Sequence, residues 1–270
     1  MLSTLFRKKA RPVAPAAPAV PDGLAVWAIG DIHGRLDLLK PLMKAVLEDI
    51  KASPSQRRVV VFLGDYIDRG PDSRGVIDLL IRLSGMTGVE WHFLKGNHEE
   101  IMLRFLDDPS VGNRWCTYGG DAALASWGLK PPSIAHRKEG WAHLSDELNH
   151  ALTREQRSFL NALEAEIVIG DYALVHAGYR PGVPLADQSD GDRLWIRGDF
   201  LDSDIEFDKV IVHGHTPVRS VHQDRRRIAV DTKAYSSGVL TALRLEGTAR
   251  TFLQTSQTAD GEVSTLRVSG

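Results

Sequence analysis

The chain has 270 residues, of which 43% are hydrophobic and 25% are charged, a composition typical of a globular protein. Its 33 basic and 35 acidic side chains nearly balance, which argues against a nucleic-acid-binding surface. A single cysteine, Cys116, excludes an intrachain disulfide and fits a reducing compartment, so we expect a cytoplasmic protein in which Cys116 is a small core residue and not a reactive thiol.

The first 22 residues predict a disordered tail before a globular domain at residues 23–256. In "MLSTLFRKKARPVAPAAPAVPD" the basic cluster follows an apolar start, and proline and alanine come next, unlike the order of a secretory signal. Weak contact of this tail with a membrane surface stays open. No stretch of about 18 apolar residues is present, so no transmembrane segment is expected. Residues 257–270 are expected to form a loose C-terminal tail.

Three short strands with helices between them are predicted in the first hundred residues. The strand-like runs are 25–29, 59–63 and 89–94, and the helical patterns are 36–50 and 73–83. Strand, helix and strand at this spacing predict βαβ units and therefore a parallel sheet. Each strand is followed by glycine and a polar residue, at the end of the sheet where ligands bind in such folds.

The middle of the chain predicts a helical insertion. Residues 99–165 have a helical pattern that is interrupted by "YGGD" at 118–121. They contain Trp115, Trp127 and Trp141, which we expect to pack in the protein interior and not to contact substrate. The insertion is expected to cover the sheet.

The second half of the chain returns to strands. "EIVIGDYALVHAG" predicts a hairpin that turns at Gly170 and Asp171, and "KVIVHGHTP" predicts another strand with polar residues at its end. "RRRIAVDT", "GVLTALRLE" and "RTFLQTS" predict closing antiparallel strands. The three arginines at 225–227 are expected to form a solvated turn.

Six polar residues gather at the predicted strand ends. They are Asp31, His33, Asp65, Asn97, His176 and His215. Oxygen and imidazole nitrogen without sulfur form a ligand set for hard or borderline divalent ions such as manganese, iron, zinc or cobalt. Six groups exceed the need of one tetrahedral site, which suggests two ions that share a bridging carboxylate. Any one of these residues alone would be more typical of a turn or cap.

Five motifs that contain these residues resemble the calcineurin-like metallophosphoesterases. They are "GDIHG" (30–34), "GDYIDRG" (64–70), "GNHE" (96–99), "VHAG" (175–178) and "GHTP" (214–217). The closer resemblance is to the bacterial and phage branch of the phosphoprotein phosphatase family of Ser/Thr phosphatases, over residues 24–245. It implies an α/β fold with four αββα layers, in which a β-sandwich is flanked by helices and carries the helical insertion.

The resemblance also implies a ligand set. Asp31 and His33 would bind a first metal ion, Asp65 would bridge, and Asn97, His176 and His215 would bind the second ion. Manganese is the first choice for both ions, and iron, zinc, cobalt and nickel stay open. The family ligand directly precedes Thr-Pro, so His213 is expected to be structural. Pro217 replaces a further histidine of the wider superfamily, so the first ion is expected to have fewer protein ligands.

Catalytic roles follow from the same resemblance. His98 would be the general acid at the leaving oxygen, and Asp68 would orient its imidazole and keep it charged. Arg69 would bind phosphate oxygens with its planar guanidinium. A second phosphate-binding arginine is expected from the later half of the chain, with Arg197 as the candidate and Arg193 as a weaker one.

Asn97 is also expected to contact the substrate. Asp231, in "VDT", resembles an element that recurs near the site in the family, and no chemistry is assigned to it.

These roles imply a phosphoesterase in which a metal-bridging hydroxide attacks phosphorus directly. The expected substrates are phosphomonoesters, either phosphoserine and phosphothreonine in proteins or small phosphoesters and nucleotides. The alternative is a dinucleoside polyphosphate hydrolase acting on diadenosine tetraphosphate, which shares the motifs. A metal-binding scaffold without turnover is a remote third possibility. Cys116 lies in no "CxxxxxR" loop, which speaks against cysteine-based phosphatase chemistry.

Overall fold

The structure, a computed structural model, describes residues 17–133, 137–258 and 260–268. It contains two β-sheets. The first sheet has the order β11-β10-β9-β1-β2-β3, and its strands are β1 (Leu24–Ile29), β2 (Arg57–Phe62), β3 (Glu90–Phe93), β9 (Thr241–Glu246), β10 (Ala249–Gln257) and β11 (Val263–Val268). The second sheet has the order β4-β5-β6-β8-β7, and its strands are β4 (Glu166–Ile169), β5 (Tyr172–Val175), β6 (Val210–His213), β7 (His222–Gln223) and β8 (Arg227–Ala229).

Helices cover the outer faces of both sheets. The helices are α1 (Leu36–Ala52), α2 (Ser73–Ser84), α3 (Asn97–Asp107), α4 (Gly112–Thr117), α5 (Gly120–Ser126), α6 (Arg137–Ala151), α7 (Arg154–Asn161), α8 (Asp190–Trp195), α9 (Gly198–Leu201) and α10 (Ala234–Ser237). Within the described residues, no helix combines the length and the apolar content that crossing a bilayer requires.

The alternation of side chains along β1 explains the layers. Val26 and Ala28 belong to a buried cluster that contains residues of both sheets, such as Val212. Trp27 and Ile29 point the opposite way, into a second cluster formed with the helices. Because β1 is buried on both faces, both faces of its sheet must be covered, one by the second sheet and the other by helices. The predicted four-layer α/β sandwich is therefore confirmed.

The predicted βαβ series is confirmed as well. β1, β2 and β3 pair in parallel, and α1 and α2 connect them. The hairpin that was expected to turn at Gly170 and Asp171 consists of β4 and β5, which pair in antiparallel fashion. The predicted insertion contains α3 to α7, and α3 begins two residues before its predicted start, at Asn97.

The last strands of the second sheet differ from the prediction. β8 pairs in parallel with β6 and is antiparallel only to the two-residue β7, so it does not close the sheet as an antiparallel strand. The arginines at 225–227 are not all in a turn, because Arg227 begins β8 and its guanidinium lies 3.3 Å from Nε2 of the buried His213. β9 and β10 are antiparallel, as expected.

Parts of both predicted tails pack on the domain. The prediction for residues 1–16 lies outside the described residues. Residues 17–22 run along the domain, where Val20 is buried between the sheets and its backbone N–H donates to the Gly247 carbonyl at 3.0 Å. At the other end, residues 263–268 form β11, which pairs with β10 in place of a loose tail. The side chains of Val263 and Val268 pack against the core, a signal too short to stand out in the sequence.

The tryptophans of the insertion are buried, as the sequence predicts. Trp115 is fully buried, and Trp127 and Trp141 are nearly so. Cys116 is half-buried and packs against the same core cluster.

Candidate metal centre and active site

The predicted ligands converge at the carboxyl ends of strands from both sheets. Asp31 follows β1 and Asp65 follows β2, whereas His176 follows β5 and His215 follows β6. Asn97 is the first residue of α3, directly after the turn that ends β3. Parallel strands end at a common edge, so residues distant in sequence become neighbours there.

One group of ligand atoms surrounds Asn97. Its Oδ1 lies 3.0 Å from His176 Nε2 and 2.8 Å from His215 Nδ1. Asp65 Oδ1 is 3.4 Å from the same His176 nitrogen. The ligand atoms of Asp65, His176 and His215 lie within 4.8 Å of one another, which suits a single divalent ion.

A second group lies on the other side of Asp65. His33 Nε2 is 3.5 Å from Asp65 Oδ2, and His98 Nε2 is 3.8 Å from the same oxygen. The ligand atoms of these three residues also lie within 4.8 Å of one another. Asp65 therefore offers one oxygen to each group. His98 was not among the predicted ligands, and its position here would also allow it to bind an ion.

Asp31 belongs to the same cluster and supports the fit of a cation. Its Oδ2 accepts the backbone N–H of His215 at 3.0 Å, whereas Oδ1 is buried without a hydrogen-bond partner in the described part of the chain. A Cβ on Gly214 would stand 1.9 Å from that Oδ1, so only glycine leaves space around the oxygen. A buried, unpaired carboxylate oxygen costs free energy unless a cation or a proton compensates it. The donor set therefore fits divalent metal ions.

Burial sets the charge states of the centre. It lowers the pKa of His33 to about 3 and that of His215 to about 2, so both imidazoles are neutral, as metal ligands must be. Burial also raises the pKa of Asp31, and the neighbouring Asp231 adds to the effect. For Asp65 burial acts in the same direction, but the imidazoles of His176 and His98 outweigh it and lower the pKa.

His98 and Asp68 form a hydrogen-bonded pair beside these groups. His98 Nδ1 lies 2.6 Å from Asp68 Oδ2, and the same oxygen accepts the indole N–H of Trp115 at 2.9 Å. Since a carboxylate can only accept, Nδ1 carries the proton and Nε2 faces the centre. Burial would lower the pKa of His98, but the carboxylates of Asp65 and Asp68 outweigh burial and raise it.

The backbone of the centre is strained. Left-handed φ angles occur at His33 (47°), Asp65 (53°), Asp68 (71°), Arg69 (65°) and His215 (61°). Each such residue costs about 1 kcal/mol or more unless it is glycine, and such strain clusters at functional sites. The surrounding structure must therefore impose these conformations.

Glu99 is one residue that imposes them, and no role was predicted for it. Its fully buried carboxylate accepts backbone N–H groups from Asp65 at 2.9 Å, Tyr66 at 2.8 Å and Gly96 at 2.9 Å. It thus ties the turn after β2 to the start of α3. Burial, and then the charge of Asp65, raise the pKa of Glu99 to about 8. Glu99 is the last residue of the motif "GNHE", and this position in the motif could have indicated a role for it.

Arg69 and Arg197 both lie at the centre. The Arg69 guanidinium is 3.4 Å from His98 Nε2 and lies 4.6 Å from the ring centroid of Tyr235. Arg197 is exposed, and its nearest polar partner is Thr216 Oγ1 at 3.5 Å, next to His215. In the part of the chain that the structure describes, Arg197 forms no ion pair.

Arg193, the weaker candidate, is engaged elsewhere. Its Nε donates to Glu166 Oε2 at 2.9 Å, and its guanidinium also reaches the Leu185 carbonyl at 3.3 Å. An arginine that is held by a carboxylate has few donors left for phosphate. Arg193 therefore holds the local structure together, and these contacts favour Arg197 over Arg193 as the second phosphate-binding arginine.

Aromatic residues that were not predicted as site residues surround the centre. The ring centroid of Tyr118, from the insertion, is 6.2 Å from that of His98, and the ring centroid of Trp195 is 6.3 Å from that of His215. Tyr235 is 5.3 Å from the His33 ring. These contacts depend on how the insertion and distant loops fold back onto the centre. A local sequence pattern cannot predict that.

Two further polar residues lie nearby. Asp231 is buried, its Oδ1 accepts the Lys233 backbone N–H at 2.8 Å, and burial raises its pKa to about 6. His213 is buried against Phe200, with ring centroids 5.1 Å apart.

Comparison with known proteins shows which family has these motifs. A family model described as calcineurin-like phosphoesterase matches residues 24–238. The asymmetrical bis(5'-nucleosyl)-tetraphosphatase of Anoxybacillus flavithermus is 28% identical over 238 residues, covering 80% of this chain and 88% of that protein. Serine/threonine-protein phosphatase 1 of Salmonella typhimurium is 43% identical over 96 residues, covering 36% of this chain and 39% of that protein.

A solved structure shares the fold. The cold-active protein-tyrosine phosphatase of a psychrophilic Shewanella species matches with a TM-score of 0.54 and 20% sequence identity, covering 92% of this chain and 83% of that chain. Because the family model spans most of the chain and its strand-end motifs meet in one cluster, the chain belongs to the calcineurin-like phosphoesterase family and is a phosphoric ester hydrolase.

Proposed function

We propose that this chain hydrolyses phosphomonoesters at a centre of two divalent metal ions, with phosphoserine and phosphothreonine in proteins as the first candidate substrates. The observation that carries the proposal is the position of Asp65, which offers Oδ2 to His33 at 3.5 Å and Oδ1 to His176 at 3.4 Å. A carboxylate with one oxygen towards each of two ligand groups is suited to bridge two ions.

The six residues divide between the two ions. Asp31 and His33 would hold the first ion, Asn97, His176 and His215 would hold the second, and Asp65 would serve both. Manganese is the first choice, with iron, zinc, cobalt and nickel as alternatives, because the ligands are oxygen and imidazole only. When bound, such ions supply positive charge to the phosphate oxygens and make a water nucleophilic near neutral pH.

His98 supplies the proton that the leaving oxygen needs. Asp68 accepts from Nδ1 at 2.6 Å, which leaves Nε2 to donate towards the substrate. The two nearby carboxylates raise the pKa of His98, which favours the protonated imidazole that a proton donor needs. Trp115 holds Asp68 in place through its indole N–H at 2.9 Å.

Arg69, Arg197 and Asn97 bind the phosphate. The guanidinium of Arg69 lies 3.4 Å from His98, where it can hold oxygens of the group that is attacked. Arg197 faces the other ligand group, beside Thr216. Asn97 contacts both imidazoles of the second group through Oδ1, which leaves its amide NH₂ as a donor for a phosphate oxygen.

A second candidate reaction is the asymmetrical hydrolysis of bis(5'-nucleosyl) tetraphosphates. It is favoured by the relative in Anoxybacillus flavithermus, whose similarity extends over 80% of this chain. The similarity to the Salmonella serine/threonine phosphatase is higher but extends over only 36% of the chain. The same catalytic groups can serve both reactions, because each cleaves a P–O bond and protonates a leaving oxygen.

The test is a substrate screen on protein loaded with manganese. A phosphoserine peptide, diadenosine tetraphosphate and p-nitrophenyl phosphate are compared at equal concentration, with phosphate release and nucleotide products measured. We expect metal-dependent hydrolysis of p-nitrophenyl phosphate and a higher kcat/KM for the phosphopeptide than for diadenosine tetraphosphate. The reverse preference would establish the second candidate. Absence of metal-dependent hydrolysis of all three would contradict both.

A further inference from the structure

Arg114, in α4 of the insertion, presents an exposed guanidinium beside two aromatic rings that adjoin the candidate active site. Its Cζ lies 5.9 Å from the ring centroid of Tyr118 and 5.6 Å from that of Trp195. These two rings are 5.8 Å apart. Tyr118 lies 6.2 Å from the ring of His98, and Trp195 lies 6.3 Å from the ring of His215. Tyr118 thus lies between the Arg114 guanidinium and His98, and Trp195 lies between the guanidinium and His215.

The segment that carries Arg114 is attached to the centre itself. The next residue, Trp115, is fully buried and donates its indole N–H to Asp68. The Gly119 carbonyl, two residues after α4, accepts the backbone N–H of Arg69 at 3.0 Å. The position of α4 is therefore coupled to Asp68, which orients the proton donor His98, and to Arg69, which would bind the phosphate.

The N–H donors of Arg114 are available to a ligand. No carboxylate among the described residues forms an ion pair with Arg114. The guanidinium rests on two aromatic faces instead, which stabilise a cation without using its N–H groups. Arg104, an exposed arginine in the adjacent α3, differs in this respect because Asp108 lies 3.9 Å from its guanidinium.

We propose that Arg114 binds a second phosphoryl group of the substrate, adjacent to the one that is hydrolysed. This inference rests on the proposed function, in which Arg69, Arg197 and the metal ions already neutralise the phosphate that is attacked. A third guanidinium exceeds the need of one phosphate, but it suits a diphosphate or a longer phosphate chain. Arg114 would thus add affinity for substrates with linked phosphates, the class of the second candidate reaction, at a centre that also hydrolyses monoesters.

The test compares two inhibitors that cannot be hydrolysed, methylphosphonate with one phosphoryl group and methylenediphosphonate with two. Each is titrated against p-nitrophenyl phosphate hydrolysis at a constant free manganese concentration. In Arg114→Ala we expect the inhibition constant for methylenediphosphonate to rise about tenfold or more, because a charge-assisted contact is lost. The constant for methylphosphonate should change less than about twofold, since that ligand does not reach Arg114.

Arg104→Ala is the matched control and should leave both inhibition constants unchanged. Arg114→Gln, which keeps a side chain over the two rings, should reproduce the selective loss if Arg114→Ala proves unstable. An unchanged ratio of the two constants would overturn the proposal, and so would an equal loss for both inhibitors. A wild-type protein without metal-dependent hydrolysis would instead refute the proposed function, which separates the two failures.

Discussion

At the scale of single residues, Asp65 occupies the position on which both halves of the centre depend. Its two carboxylate oxygens face different imidazoles, those of His33 and His176. Oδ1 also accepts the backbone N–H of His98 at 3.2 Å, which fixes the orientation of the carboxylate relative to α3. The side-chain oxygen of Asn97, in contrast, lies against the two imidazoles of the second group.

Asp65→Asn should therefore lose more metal than Asn97→Ala. The first change removes charge and an oxygen ligand that both ions share, whereas the second removes one neutral ligand of one ion. Elemental analysis after dialysis measures the effect, and we expect less than about one equivalent in Asp65→Asn and at least about one in Asn97→Ala. Two full equivalents in Asp65→Asn would show that Asp65 does not bridge.

At the scale of secondary-structure elements, the junction of α4 and α5 shapes the loop that carries Asp68 and Arg69. Gly119 lies at this junction with φ of +99°, and a Cβ there would meet Arg69 Cγ at 2.8 Å and the Arg69 backbone nitrogen at 2.9 Å. Asp68 and Arg69 themselves have left-handed φ angles, so their loop depends on its neighbours. The insertion is thus part of the active site and not only a cover.

Gly119→Ala should weaken phosphate inhibition and raise KM, because the new methyl group displaces Arg69. Gly88→Ala is the matched control: its φ is +84°, and no atom lies within 4 Å of the position that the new methyl group would occupy. Both variants should lose about 1–2 kcal/mol of unfolding free energy in urea through backbone strain. If Gly119→Ala has wild-type phosphate inhibition, the insertion does not position Arg69.

The strand ends could be predicted well from the sequence because local patterns determine them. Short β-branched runs, each followed by glycine and a polar residue, place Asp31, Asp65 and Asn97 at one sheet edge through βαβ geometry alone. The contacts of Trp115 with Asp68 and of Tyr118 with His98 could not be predicted in this way. They depend on how α4 returns to the sheet, which is a property of tertiary packing.

At the scale of the whole molecule, the candidate metal centre connects the two sheets. Asp31 and Asp65 follow strands of the first sheet, and His176 and His215 follow strands of the second. Ions bound by both sets would hold the sandwich together at this edge. Metal contacts would also offset part of the free-energy cost of the strained backbone around the centre.

Removal of the metal ions should therefore lower the melting temperature. A ligand present at 1,000 times its Kd stabilises the folded state by about 4 kcal/mol. In a chain of this size that corresponds to a shift of roughly 10 °C. Calorimetry before and after chelation measures the shift, and readdition of manganese should restore it. An identical melting temperature in both states would mean that the ions do not connect the sheets.

The proposed reaction depends most directly on His98 as a proton donor that is not a metal ligand. Its Nε2 lies 3.8 Å from Asp65 Oδ2, so the geometry alone also suits a ligand. Metal content and kcat of His98→Asn distinguish the two roles. The measurement uses a phosphoserine peptide and p-nitrophenyl phosphate as substrates, because a serine alkoxide needs a proton to leave and p-nitrophenolate does not.

We predict that His98→Asn keeps two metal equivalents and that its kcat on the phosphopeptide falls by roughly 10²–10⁴. The loss on p-nitrophenyl phosphate should be clearly smaller, and Asp68→Asn should show a milder form of the same pattern. Equal losses on both substrates would exclude proton donation as the role of His98. Loss of one metal equivalent in His98→Asn would contradict the assignment altogether and make His98 a ligand.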